Sequence, residues 1–119
     1  MPLATLAKVL SQAQARNAAC LGFVCQGWED ARAYVAAGEA AGAPVILSAG
    51  PGARANMPVP LWGEMFRTLA RSATIPVVAH LDHGRTVEEC VEAIEAGFSS
   101  VMIDGSALPL AENIALTNA

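Results

Sequence analysis

Lysine occurs once in these 119 residues, at position 8, and only 15% of the side chains are charged. An average soluble domain carries about 25% charged residues, and disordered chains are poor in apolar ones. With 54% hydrophobic residues, the sequence is neither disordered nor charge-solvated. Basic residues are outnumbered 7 to 11, for a net charge of −4 and a pI near 5.0. Nucleic acid is therefore not expected as the main partner, because phosphate neutralisation needs a basic face. Cysteine is also scarce: Cys20, Cys25 and Cys90 are odd in number and form no Cys-x-x-Cys pair. That is neither a disulfide framework nor a zinc ribbon, and it suits a reducing compartment. No run approaches 18 apolar residues, and no basic segment precedes an apolar one near the N-terminus. The expectation is a cytoplasmic protein without a membrane partner.

What is present is an alternation of two periodicities. Leu3, Leu6, Val9, Leu10 and Ala13 recur at three- and four-residue intervals and predict a helix over 2–16. Further helices are expected over 29–41, 60–72 and 87–96, and another opens at Leu110. Between them lie short apolar runs over 21–25, 44–47, 75–81 and 99–104, read as strands. Residues 48–52, Ser-Ala-Gly-Pro-Gly, read as a loop. Thr86 with Glu89 forms a capping box, and Gly97 stops the helix it opens. One helix per inter-strand gap is the βαβ rhythm of a parallel sheet. Four such units over a single domain, 1–119, suit either a small doubly wound sheet or half of a closed barrel of about 250 residues.

In both folds functional groups collect where strands end. The third strand ends in His80-Leu81-Asp82-His83-Gly84, which holds both histidines and an aspartate. A neutral imidazole is a good zinc ligand, and a neighbouring carboxylate can move a proton on substrate oxygen. Alternation puts His80 and Asp82 on one face and Leu81 and His83 on the other, unless the backbone turns after Asp82. The competing reading makes Asp82 a turn cap and both histidines structural.

Three runs carry a resemblance: Pro76-Val77-Val78-Ala79-His80-Leu81-Asp82-His83-Gly84, then Ser100-Val101-Met102-Ile103-Asp104-Gly105-Ser106, then Glu112-Asn113-Ile114. Together they closely resemble the class II, zinc-dependent ketose-bisphosphate aldolases, especially the fructose- and tagatose-bisphosphate group. Pro44-Val45-Ile46-Leu47 and Pro51-Gly52-Ala53 fall where that family has its second strand and loop. The resemblance implies an α/β fold made of the first four βα units of a TIM barrel, a half-barrel. It implies that His83 is a ligand of catalytic zinc and Asp82 the general acid/base at a hydroxyl or aldehyde oxygen. It implies a second, non-catalytic metal position at Asp104, and for His80 a packed or hydrogen-bonded role within the strand. Zinc would act as a Lewis acid on a ketose-phosphate carbonyl. The parent would cleave a phosphorylated sugar substrate, a ketose bisphosphate, into dihydroxyacetone phosphate and an aldehyde. The alternative Schiff-base route needs a lysine at a strand end, and Lys8 lies on the first helix.

A catalytic zinc needs three protein ligands, and the family draws two histidines from the barrel's second half. The 119 residues are expected not to complete the site alone. The rival expectation is a non-catalytic half-barrel that pairs with itself, as a homo-oligomer, or with a complementary half-barrel. Departures from the family pattern include Gly50 in place of serine, Ala107 in place of histidine, and Phe23-Val24-Cys25 in place of a polar asparagine. Trp28 and Trp62 are expected to pack helix starts against strand ends. Cys25 reads as a small buried hydrophobe. Gly50-Pro51-Gly52 suits a tight turn as well as a phosphate-approaching loop, and Glu88-Glu89 favours a helix N-terminus.

Overall fold

A computed structural model describes residues 2–119. Helix α1 spans Leu6–Ala15, and strand β1 spans Leu21–Val24. After them come α2 (Trp28–Ala41), β2 (Val45–Ala49), α3 (Pro51–Asn56) and α4 (Val59–Ser72). The chain closes with β3 (Val77–Gly84), α5 (Val87–Glu95), β4 (Ser100–Ile103) and α6 (Leu110–Asn118). All pairings are parallel, and the strand order is β1-β2-β3-β4. A doubly wound sheet reverses its order at a switch point, whereas barrel strands follow one another. The sequential order therefore decides for an arc of a barrel, half of the eight-stranded TIM fold.

Side chains alternate across the strands. Val45, Leu47 and Ala49 of β2 and Val77, Ala79 and Leu81 of β3 enter the core, joined by Ala31 and Val35 of α2 and by Trp62, Phe66 and Leu69 of α4. Burying each large apolar side chain contributes about 1.5–3 kcal/mol. Trp62 also donates from Nε1 to the Ala53 carbonyl at 3.2 Å, so its one polar atom is satisfied. Gly63 of α4 lies where a Cβ would run into the Ala96 carbonyl, which brings α4 and α5 close. No helix among the described residues is long and apolar enough to cross a membrane.

Several boundaries differ from the expectations. The first helix begins at Leu6, because Thr5 caps it by accepting from Lys8 N, and Ala4 N instead donates to Val77 O. Residues 48–52 are not one loop: β2 continues to Ala49, Gly50 is an N-cap, and Pro51 opens the six-residue α3. Proline suits that first helical position, since its missing N–H would have no partner there. Strand β3 runs to Gly84, three residues beyond its expected end, and its register against β4 shifts between Leu81 and Gly84. The capping box is displaced by one residue: Thr86 accepts from Glu89 N, but Glu89 returns to Arg85 N at 2.7 Å.

Candidate active site at the β3 mouth

His80 sits in register with Ser48 of β2 and Ser100 of β4, on the opposite face of the sheet from Leu81. Its Nδ1 shares a 2.8 Å hydrogen bond with Ser100 Oγ. Burial pushes its pKa down, and the negative charge of Asp82 only partly opposes that. His80 is thus a neutral, hydrogen-bonded strand histidine, as expected for this position.

Beyond Leu81 the strand loses its regular course. His83 has φ +54°, a left-handed backbone that residues with a Cβ rarely adopt. This turn resolves the alternation problem. In an extended strand the His83 ring would lie on Leu81's side; turned, its Nε2 comes within 3.8 Å of Asp82 Oδ1. The same Asp82 oxygen lies 4.0 Å from His80 Nε2, so a half-buried carboxylate faces two imidazoles.

The other side of the His83 ring is held from β4. His83 Nδ1 donates to Asp104 Oδ2 at 2.6 Å, and the second Asp104 oxygen accepts from Ser106 N at 2.9 Å. The Asp104 hydrogen bond raises the His83 pKa, with the charge on Asp82 as the next cause. The Ser106 and His83 hydrogen bonds hold Asp104 well below the usual carboxylate range. A carboxylate on Nδ1 fixes ring orientation and leaves Nε2 as the donor atom, the arrangement found behind metal-ligating histidines. His83 is half exposed, so that nitrogen is reachable from the mouth. The geometry therefore fits His83 as one ligand of a metal, with Asp104 behind its ring. Among the described residues no group of three or more histidine, cysteine, aspartate or glutamate side chains converges on a metal position.

The remaining strand ends contribute less. Cys25 is wholly buried, and burial with the nearby Asp30 charge pushes its thiol up to about 12, so it is an inert core residue. Asp30 closes the β1–α2 loop by accepting from Gln26 N, Gly27 N and Ala31 N. Trp62 is buried as expected, but Trp28 is not: it stands 43% exposed at the start of α2. At Gly105 a Cβ would collide with the Asn113 side chain, so the third matching run packs over the second.

One residue of the mouth was not foreseen. Arg54 of α3 has a side chain only 7% exposed and donates into the carbonyls of Ala49, Asp82 and His83. The one available signal was a lone charge two residues past a Pro-Gly pair at a strand end, between the expected loop over 48–52 and the expected helix over 60–72.

The family model described as fructose-bisphosphate aldolase class-II matches residues 4–119. A fructose-bisphosphate aldolase of Treponema pallidum (strain Nichols) is 49% identical over 85 residues, 62% of this chain and 24% of that protein. The fructose-bisphosphate aldolase of Staphylococcus aureus (strain Mu50) is 38% identical over 126 residues, 98% of this chain and 42% of that protein. A 6-phospho-5-dehydro-2-deoxy-D-gluconate aldolase of Halalkalibacterium halodurans is 37% identical over a similar span. Among solved structures, the YdjI aldolase from Escherichia coli K12 superposes with a TM-score of 0.89 at 35% identity, covering 97% of this chain and 45% of that one. The chain thus spans less than half the length of these relatives.

Proposed function

The chain belongs to the class II fructose-bisphosphate aldolase family, and we propose that in a longer protein its β3 mouth serves metal-dependent aldol cleavage and condensation of a phosphorylated ketose. The observation that carries this reading is the oriented imidazole of His83, backed at Nδ1 by Asp104 2.6 Å away and flanked at Nε2 by Asp82. His83 would hold a zinc ion through Nε2, with its other ligands supplied from outside these four βα units. A zinc ion there supplies Lewis acidity, polarising the ketose carbonyl and stabilising negative charge that develops on its oxygen.

Asp82 does the proton work. In cleavage its carboxylate accepts the hydroxyl proton of the carbon that becomes the aldehyde, while the electron pair of the breaking carbon–carbon bond stays with the ketone fragment. In condensation the same oxygen returns that proton. Asp82 stands at the rim, half-buried between His80 and His83, where substrate oxygen can reach it. His80, neutral and tied to Ser100, keeps a second positive charge away from that carboxylate.

The relatives' names cover both a fructose bisphosphate and a phosphorylated deoxy sugar acid. We therefore assign a phosphorylated sugar as the substrate class and leave its stereochemistry to contacts outside this chain. The free thiols of Cys20, Cys25 and Cys90 suit a cytoplasmic setting. Leu21 and Val24 of the edge strand β1 are 64% and 52% exposed, and we assign that edge to contact with further barrel strands or a complementary half-barrel.

The test is Asp82→Asn in the full-length protein. We expect kcat for aldol cleavage to fall by about 10²- to 10⁴-fold, with bound zinc unchanged by metal analysis. His83→Ala is expected to lose zinc and activity together. Full turnover in the Asp82 variant overturns the assignment.

A further inference from the structure

Arg54 has no part in the proton transfer above, yet it is the most heavily bonded side chain at the mouth. One guanidinium nitrogen, Nη1, donates to Ala49 O at 2.7 Å and to Asp82 O at 2.6 Å. The other, Nη2, donates to His83 O at 3.1 Å and lies 3.5 Å from Glu89 Oε2. A single planar cation therefore joins the end of β2, the tip of β3 and the first turn of α5. Glu89 is itself fixed by accepting from Arg85 N.

Two of those carbonyls, of Asp82 and His83, border the residue whose φ is +54°. Nothing in an imidazole favours a left-handed backbone, so the turn needs support from its surroundings. Converging both carbonyl oxygens on one buried cation supplies it. Released, the tip would relax toward an extended strand, where alternation carries the His83 ring to Leu81's side, away from Asp82 and Asp104. Lysine is a poor substitute, because its ammonium lacks the rigid fork that meets separate acceptors at fixed angles.

We propose that Arg54 is the positioning residue of this site, holding the turn at His83 through the carbonyls of Ala49, Asp82 and His83 and thereby aiming the imidazole. Its catalytic consequence rests on the aldolase reading of Asp82 and His83; its geometric claim does not. The Arg54 guanidinium is engaged by these carbonyls and by Glu89, and the role assigned to it is to act through His83.

The experiment compares Arg54→Ala and Arg54→Lys with wild type in the full-length protein, by two independent readouts. The first is NMR. A positive φ brings the His83 amide proton close to its own Hα and gives a strong cross-peak, and the 2.6 Å bond to Asp104 gives a strongly deshielded Nδ1–H signal. Both signals are expected to vanish in Arg54→Ala and to weaken in Arg54→Lys. The second readout is kinetic: kcat is expected to fall by about 10²-fold in Arg54→Ala, since ångström-scale misplacement costs that much, with KM nearly unchanged. Added guanidinium is expected to restore part of both readouts, which a merely unfolded variant would not allow. If Arg54→Ala does not fold, Arg54→Lys carries the test. Retention of both His83 signals in a folded variant overturns the proposal, as does full kcat. A wild-type protein with no aldol cleavage overturns the aldolase reading alone, and the NMR comparison still decides the role of Arg54.

Discussion

The helix-side core and the β3 mouth are held together by opposite means. In the core, Leu47, Ala49, Trp62, Phe66, Ala79 and Leu81 are completely buried, and each touches many neighbours through undirected contacts. At the mouth, Asp82, His83 and Asp104 keep partial exposure, and their places depend on a few directed bonds. Packing forces are shared, so losing one core side chain lowers stability while the others keep the shape. Directed bonds are not shared, so losing one at the mouth moves a particular ring or carboxylate while stability hardly changes. Stability and geometry therefore reside in different residues of the same strand: β3 supplies Val77, Ala79 and Leu81 to the first and Asp82 and His83 to the second.

The largest effect should come from the core. Trp62→Ala removes a wholly buried ring and one of two donors to the Ala53 carbonyl, which keeps its bond from Met57 N. We expect a loss of about 3–5 kcal/mol in urea unfolding, the usual range for buried aromatic truncation. Leu21→Ala on the edge strand, where the side chain is 64% exposed, should stay within about 0.5 kcal/mol. Equal losses at the two sites would break the comparison, because they would make β1 as tightly packed as α4.

This division also explains how much was legible beforehand. The core was, because packing imposes periods of two and 3.6 that survive in sequence: all four strands and the five longer helices fall close to their expected places. Short α3 was missed because Gly50-Pro51-Gly52 reads as punctuation, and a six-residue helix is too brief to show a period. Trp28 misled for a related reason: tryptophan suggests burial by composition, while its exposure depends on which elements lie beyond β1. At the mouth the residue types of Asp82, His83 and Asp104 were legible. The way His83 turns was not, since no glycine marks the positive φ there. Arg54 escaped because its acceptors are carbonyls, which every residue has and no sequence distinguishes.

Asp104→Asn sharpens the contrast with a smaller effect, confined to the mouth. The charged acceptor on Nδ1 is the main cause of the raised His83 pKa, so the variant should titrate lower, closer to an ordinary histidine, by NMR. The sign for stability follows from the two shifts. A raised histidine contributes stability fully below its unfolded value of about 6.5, and loses it as pH climbs through the folded value. A depressed aspartate contributes above about 3.9 and loses that in acid. The stability difference between wild type and Asp104→Asn should therefore be greatest between about pH 4 and pH 6.5 and shrink at higher pH. Because the pair is solvent-exposed, the difference should stay well below that of Trp62→Ala. A variant that loses as much stability as the core truncation, or whose His83 titrates unchanged, would count against the division.

Gly50→Ser should do least, for a reason that can be read directly from the space around it. Gly50 has φ −82° and ψ 175°, an extended backbone that serine adopts without strain. A Cβ there meets only Asp82 Oδ2, at 3.9 Å, an ordinary van der Waals distance. Gly63 in the core stands opposite in this respect, with the Ala96 carbonyl occupying the Cβ position. Serine also serves as an N-cap about as well as glycine, so α3 should keep its start within a few tenths of a kcal/mol. The new hydroxyl lies where it can donate to Asp82, which makes the substitution a probe of geometry rather than of packing. Thermal unfolding should leave the midpoint within about 2 °C of wild type. A drop of more than about 5 °C would mean that the mouth is packed as densely as the helix side, and that its openness is a property of Asp82 and His83 alone rather than of the strand ends around them.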